Sequence, residues 1–486
     1  MYFNTVTGNA YIYTGSVWEL LVQRGGTGEN GTNGVSIVWQ GEYASAAALT
    51  AAKGAPQLNW AYYDSTDKKS YIYNESVWQV LARDGEVGPE GPKGDPGDPG
   101  EPVDDGNTPY IGPNGHWWIG NTDTGIAATD IDSIRGLANK LQWLVINAQS
   151  SNTYTLEVNA NESISPHILS YSGKSNITII LKGTGVKRVI SLTSNGLMFT
   201  IESGVTLILD NNIVLQGRDD NTTSLVRVNS GGKLVMNAGS AVTGNTNPQS
   251  QGGGGVTVSN GTFTMEGGII YGNTAGRTGG GVSVESGTFT MEGGIIYGNT
   301  GAGAAGGGGG GVYVIANSGS SSSPGLFTMN GGIISGNTAI GGGGGVRVSG
   351  NNNGATFTMT GGEISDNTAT DSGGGVFVSI ANTNTGNGTF AMSGGKISGN
   401  TASISGGGVY MAGETLTKTG GTIYGYSAGD TVNSNVVKDS SGAIVNDSGH
   451  AVYVNSNPAK GKETTAGPEV DLSFNSGGTF SGNWDY

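Results

Sequence analysis

The chain has no cysteine, 3 histidines, 13 prolines and only 22 basic residues against 37 acidic ones in a length of 486. Without cysteine there are no disulfides, thiolate zinc clusters or thiol nucleophiles, and redox chemistry says nothing about the compartment. The histidines, His116, His167 and His450, lie in different regions, so no histidine-based triad or metal centre is suggested. The deficit of positive charge, a net −15, argues against nucleic acid or an anionic membrane as partner. No apolar run approaches the ~18–20 residues of a spanning helix, and no export signal is visible at the start.

What is abundant is glycine, 92 residues, far above the usual level of about 7%. With 35% hydrophobic residues, that composition points to a repetitive, extended architecture with a narrow core rather than a compact enzyme. The start is itself a duplication. Tyr2 to Gly25 aligns without a gap on Tyr62 to Gly85, and both copies carry Y-I-Y followed by S-V-W. The second copy is preceded by Val35–Ala61, which the first lacks, so the chain reads as a fragment that begins inside a module, its export signal expected upstream.

This divides the sequence into a truncated small β module (1–24), a short Gly-X-Y segment (25–34), a second small β module (35–84), a proline-rich Gly-X-Y segment (85–102), a tryptophan-containing connector (103–129), a repeat domain (130–456) and a tail or cap (457–486). The modules read as antiparallel, with Trp18 and Trp78 as core residues. Gly-X-Y with proline is the collagen pattern, because only glycine fits the axis of three wound chains; it reads either as a short triple helix or as a stiff spacer. Asp130–Leu144 reads as the one good helix, capped by Asp132 or Ser133, with Ile134, Leu137, Leu141 and Leu144 on one face. It is assigned to cover the first edge of the repeat domain.

From Tyr154 the pattern is strand, turn, strand, and from Gly253 it is regular: GGGVxV, then F-T-M, then GGxIxGN. Such repeats cannot bury their apolar face alone and must stack. The expectation is an all-β chain, a right-handed parallel β-helix with three strands per coil and an N-terminal capping helix. Strand alternation directs both valines of VxV inward and the middle residue outward; Phe and Met point inward, Thr264, Thr290, Thr328 and Thr358 outward. Roughly nine or ten coils at about 4.8 Å each give a rod of about 45 Å. Asn273, Asn299, Asn337, Asn367 and Asn400 recur at one turn and are expected to form an inward amide ladder.

The GGxI and GN pattern of the coils resembles the repeats of bacterial polymorphic outer-membrane and autotransporter-type surface proteins with right-handed parallel β-helices. The N-terminal modules are similar to those of collagen-like phage tail-fibre proteins. The resemblance implies an extracellular or cell-surface fibre, or a phage tail-fibre or tailspike protein, self-associating as a homotrimer or filament and contacting a glycan or host-surface ligand. Neither a β-barrel translocator nor a sorting motif is apparent at the C-terminus.

Many parallel β-helices cleave polysaccharides, which makes such an enzyme the rival reading; it requires two carboxylates ~5–10 Å apart across a groove. Glu266 and Glu292 share a slot in adjacent coils, and Glu363, Asp366 and Asp371 share one coil, but a solvated turn accounts for both sets. Asp219-Asp220-Asn221 reads as an acidic turn, and the calcium-binding nonapeptide fails because Val stands where Asp is needed. No catalytic, cofactor or metal residue is therefore assigned. The β-propensity of threonine accounts for the outward threonine row, and a flat hydroxyl array of the ice-binding kind is the alternative. Aromatics are the better lead: Trp39, Trp60, Trp117 and Trp118 are candidate glycan contacts. The long loops Ile315–Gly325 and Ile380–Gly388 are the natural recognition elements on the rod.

Overall fold

A computed structural model describes residues 2–4, 9–13, 18–22, 38–74, 76–83, 110–111, 116–119, 122–127, 134–249, 252–303, 307–316, 323–350, 354–380, 387–475 and 477–486. Both Gly-X-Y segments, residues 130–133 with the caps expected there, and most of the two long loops lie outside the described residues. The chain divides into two units, Met1–Asp104 and Asp105–Tyr486.

In the first unit, Tyr2–Asn4, Asn9–Tyr13 and Trp18–Val22 form an antiparallel sheet. Its counterpart is Trp60–Asp64, Lys69–Tyr73 and Trp78–Arg83, and the same bulge falls at Ala10/Tyr11 and Ser70/Tyr71. Duplicated sequence thus produces a duplicated register. The second copy gains a strand, Val38–Tyr43, which pairs parallel to Trp60–Asp64. Parallel pairing needs a crossover, and helix α1, Ala46–Lys53, supplies it. This corrects the expectation of a single helix and a purely antiparallel module. The signal was the alanine run behind Ser45, whose hydroxyl accepts from Ala48 N at 3.1 Å. Trp78 packs edge-on against Tyr62 at 4.9 Å, at the module's centre.

In the second unit, Tyr110–Ile111, His116–Ile119 and Thr122–Ala127 form a small antiparallel sheet. Helix α2 spans Leu137–Asn147 rather than starting at 130. Gly136, at φ +81, blocks helical continuation upstream, and the Glu162 carboxylate of the first coil accepts from Leu137 N at 2.6 Å in place of a local cap. Leu137, Leu141 and Leu144 bury against the end of the solenoid.

The rest is a parallel β-solenoid of about nine turns. F strands such as Thr262–Met265 and I strands such as Ile269–Tyr271 belong to one 20-stranded sheet, and V strands such as Val256–Ser259 to an 11-stranded sheet. A fourth strand of two residues, such as Thr274–Ala275, follows each asparagine and forms a seven-stranded sheet of its own. Two residues are too few for alternation to be seen in sequence.

From the Thr262 strand to the Gly388 strand, register along the F strands is kept residue for residue. Phe263, Phe289, Phe327, Phe357 and Phe390 stack in the lumen at centroid distances of 4.6 to 5.0 Å with planes within 10°. The paired methionines and valines beside them are fully enclosed. The middle residue of each V strand points outward, yet Thr257 and Ser283 are fully buried and Arg347 is 7% exposed. The reason is the glycine-rich arm before the V strands from Val256 to Val409, which folds back over that face: Gly253 N donates to Thr257 Oγ1 at 2.8 Å, and a Cβ on Gly342 would stand 2.4 Å from the Phe377 ring. Only glycine allows that approach.

The C-terminal end is closed by reversal. Lys460–Lys462 runs antiparallel to Val452–Val454, and Leu472–Phe474 runs antiparallel to Leu416–Lys418 and to Phe480–Gly482. Lys418 occupies the lumen position of Met392 and donates to the carbonyls of Gly467 and Val470 at 2.6 and 2.7 Å. Among the described residues no helix is long and apolar enough to cross a membrane.

Candidate functional site

The asparagine turn sets the shape of the I-strand face. Each ladder side chain is fully buried, and the Oδ1 of Asn337 accepts from both Asn299 N and Asn299 Nδ2 at 3.0 Å. Its Nδ2 donates to Ile296 O and to Asn367 Oδ1, both at 2.9 Å. The same pattern joins Asn273, Asn299, Asn337, Asn367 and Asn400. It extends to Asn435 at one end and to Asn245 and Asn221 at the other. Asn221 therefore belongs to the ladder and not to a purely acidic turn, while Asp220 pairs with Arg218 at 2.6 Å.

Most of the acidic candidates have local partners. Glu266 and Glu292 are exposed on turns, and Glu292 accepts from Asn330 Nδ2 at 3.0 Å. Glu363 pairs with Lys396 at 3.5 Å. Asp366 sits at φ +58 in the glycine slot, and burial, then the Glu363 charge, raises its carboxyl above the usual range. Asp371 hydrogen-bonds the neighbouring Ser372. No group of three or more metal-ligating side chains forms among the described residues. His450 is buried, and its Nδ1 accepts from Val437 N at 3.1 Å.

Of the tryptophan candidates, Trp39 is 56% exposed and Trp60 half-buried, on adjacent strands where Trp39 lies opposite Ala61 and Trp60 opposite Val38. Trp117 and Trp118 are on the strand His116–Ile119, opposite Ile111 and Tyr110; their side chains lie outside the described residues.

The feature that sequence reasoning missed is a groove on the outer face of the I strands. One outward file runs Val189, Val214, Ala241, Ile269, Ile295 and Ile333. The next file runs Gln216, Thr243, Tyr271, Tyr297 and Ser335. Tyr271 and Tyr297 stack at 5.3 Å with planes 3° apart. That column covers one face of each ring. The other face of Tyr271 looks toward the preceding coil, where Thr243 and Gly244 leave the tyrosine slot unfilled, and a groove of about 490 Å³ opens there with Lys187 on its far side. The signal was the Tyr-x-Asn variant of GGxIxGN in two consecutive coils, preceded by Thr in the same slot.

Compared with known proteins, the chain matches no family profile, no curated protein and no solved structure.

Proposed function

We propose that the chain is a non-enzymatic, extracellular structural and adhesive rod, whose β-helix holds binding surfaces away from a cell or particle. The observation that supports this best is the unbroken lumen: the amide ladder runs from Asn221 to Asn435 through seven direct links, beside an uninterrupted phenylalanine stack. Such columns stiffen every coil against its neighbours, as a load-carrying rod requires. Of the carboxylates singled out in the sequence, Glu292 is bonded to Asn330, Glu363 is paired with Lys396, and Asp371 is bonded to Ser372. A phage tail fibre would use the same rod.

Imaging of the native assembly tests the reading. Thin projecting rods on cells or virions are expected; a dispersed globular species would refute it. An assay for new reducing ends on plant, bacterial and host polysaccharides supplies the second arm, with no release expected.

A further inference from the structure

We infer that the groove beside Tyr271 is a binding site for a hexose ring within an oligosaccharide. This rests on the scaffold reading and adds the place and class of contact. A pyranose has an apolar C–H face and an equator of hydroxyls, so it needs a flat aromatic face, a low floor and polar groups at the rim. The groove has each. Tyr271 is half-buried and lines the groove, its ring held in orientation by the stack with Tyr297. Val214 and Ala241 form a low apolar floor beside the buried Thr243, and the exposed Lys187 and Gln216 complete the lining. Its volume of about 490 Å³ lies within the ~300–1,000 Å³ range of small-molecule sites.

A peptide strand is the poorer occupant. The I strands around the groove are already paired on both sides, Ala241–Thr243 with Ile213–Gln216 and Ile269–Tyr271, so no edge is free for strand addition. Tyr297 repeats the offer on the other side: it is 42% exposed, and its next neighbour in the file is Ser335. A chain of sugars can therefore contact both ends of the two-tyrosine column.

The full chain is titrated by calorimetry with maltohexaose, cellohexaose, mannohexaose and an oligogalacturonate. Saturable binding of at least one is expected. Tyr271→Ala should weaken it about tenfold, the equivalent of losing one stacking contact, and Tyr271→Phe should preserve it. Thr243→Tyr, which fills the empty slot and lengthens the column, should abolish it. Failure of all four to bind, or binding indifferent to both Tyr271→Ala and Thr243→Tyr, would overturn the site while leaving the rod intact. Cleavage of a bound oligosaccharide would instead overturn the scaffold reading and leave the site standing.

Discussion

Replacing Asn337 by alanine is the sharpest probe of what holds the coils in register. The side chain is fully buried and makes four hydrogen bonds, two accepted from Asn299 and two donated, to Ile296 O and Asn367 Oδ1. Its neighbours do not suffer equally. Asn299 Nδ2 keeps the carbonyls of Ile270 and Tyr297, and Asn367 Oδ1 keeps Asn337 N. Asn299 N–H and the second bond to Ile296 O have no replacement. One orphaned buried N–H at roughly 1–3 kcal/mol and one bond lost from a carbonyl that keeps another, at roughly 0.5–1.5 kcal/mol, predict a loss of about 1.5–4.5 kcal/mol. Asn330→Ala in the same coil is the control: Asn330 is exposed and binds Glu292, so less than about 0.5 kcal/mol is expected. Because solenoid stability is a sum over neighbouring coils, the damage should be local. Hydrogen exchange should accelerate around residues 295–303 and 333–340 and remain unchanged at 415–423. Asn337→Asp adds a test by pH. It keeps the acceptor but sets a carboxylate against Ile296 O and Asn367 Oδ1, which raises its folded pKa above the unfolded value near ~4. The penalty is then absent below the unfolded value and grows as pH rises toward the folded one, so this variant should lie closest to wild type in acid. Unfolding and exchange of Asn337→Ala indistinguishable from wild type would refute the ladder as a source of stability.

Two predictions concern the C-terminal closure. Lys418→Met restores the residue of the earlier coils but removes the donors to Gly467 O and Val470 O; exchange at 466–474 should rise while the central coils stay protected, and unchanged protection there would show that the lysine does not hold the cap. Burial lowers the pKa of His450, with Glu463 opposing, so its contribution is complete above the unfolded value of ~6.5 and is lost as pH falls. Protonated Nδ1 would meet Val437 N–H, so strands 436–437 and 452–454 should loosen first on acidification; an NMR titration placing His450 at or above ~6.5 would contradict this. For the Gly-X-Y segments, light scattering on the intact chain decides between a trimer and a stiff spacer, and a monomer rules out the triple helix.

Strand alternation was legible wherever a strand had three or more residues, as in V-x-V and F-T-M, because each side chain's direction follows from its place in the pleat. The asparagine turn was legible in coils that write it as G-N. Asn221 and Asn435 were hidden, the first beside two aspartates and the second in N-S-N, since only the register shows that they reach the same column. Burial of Thr257, Ser283 and Arg347 was illegible for another reason: alternation gives direction but not what lies beyond, and the glycine arms have no side chains to advertise their path. The groove depends on coils before the repeat becomes regular, where Val189, Val214 and Ala241 align with Ile269 only once the stacking is known. Helix α1 was overlooked because eight residues without an apolar stripe resemble a linker.

Helix α2 at one end and antiparallel strands at the other make the solenoid a finished length. A β-helix with open ends would add copies of itself without limit, as cross-β fibres do. Here growth of the stack is terminated on both sides, so distance is written in the gene as the number of coils. Inserting one coil such as 262–287 between the terminators would lengthen the solenoid by about 4.8 Å and leave both ends unchanged. Coils could in that sense be added or deleted by duplication without redesigning either end of the solenoid.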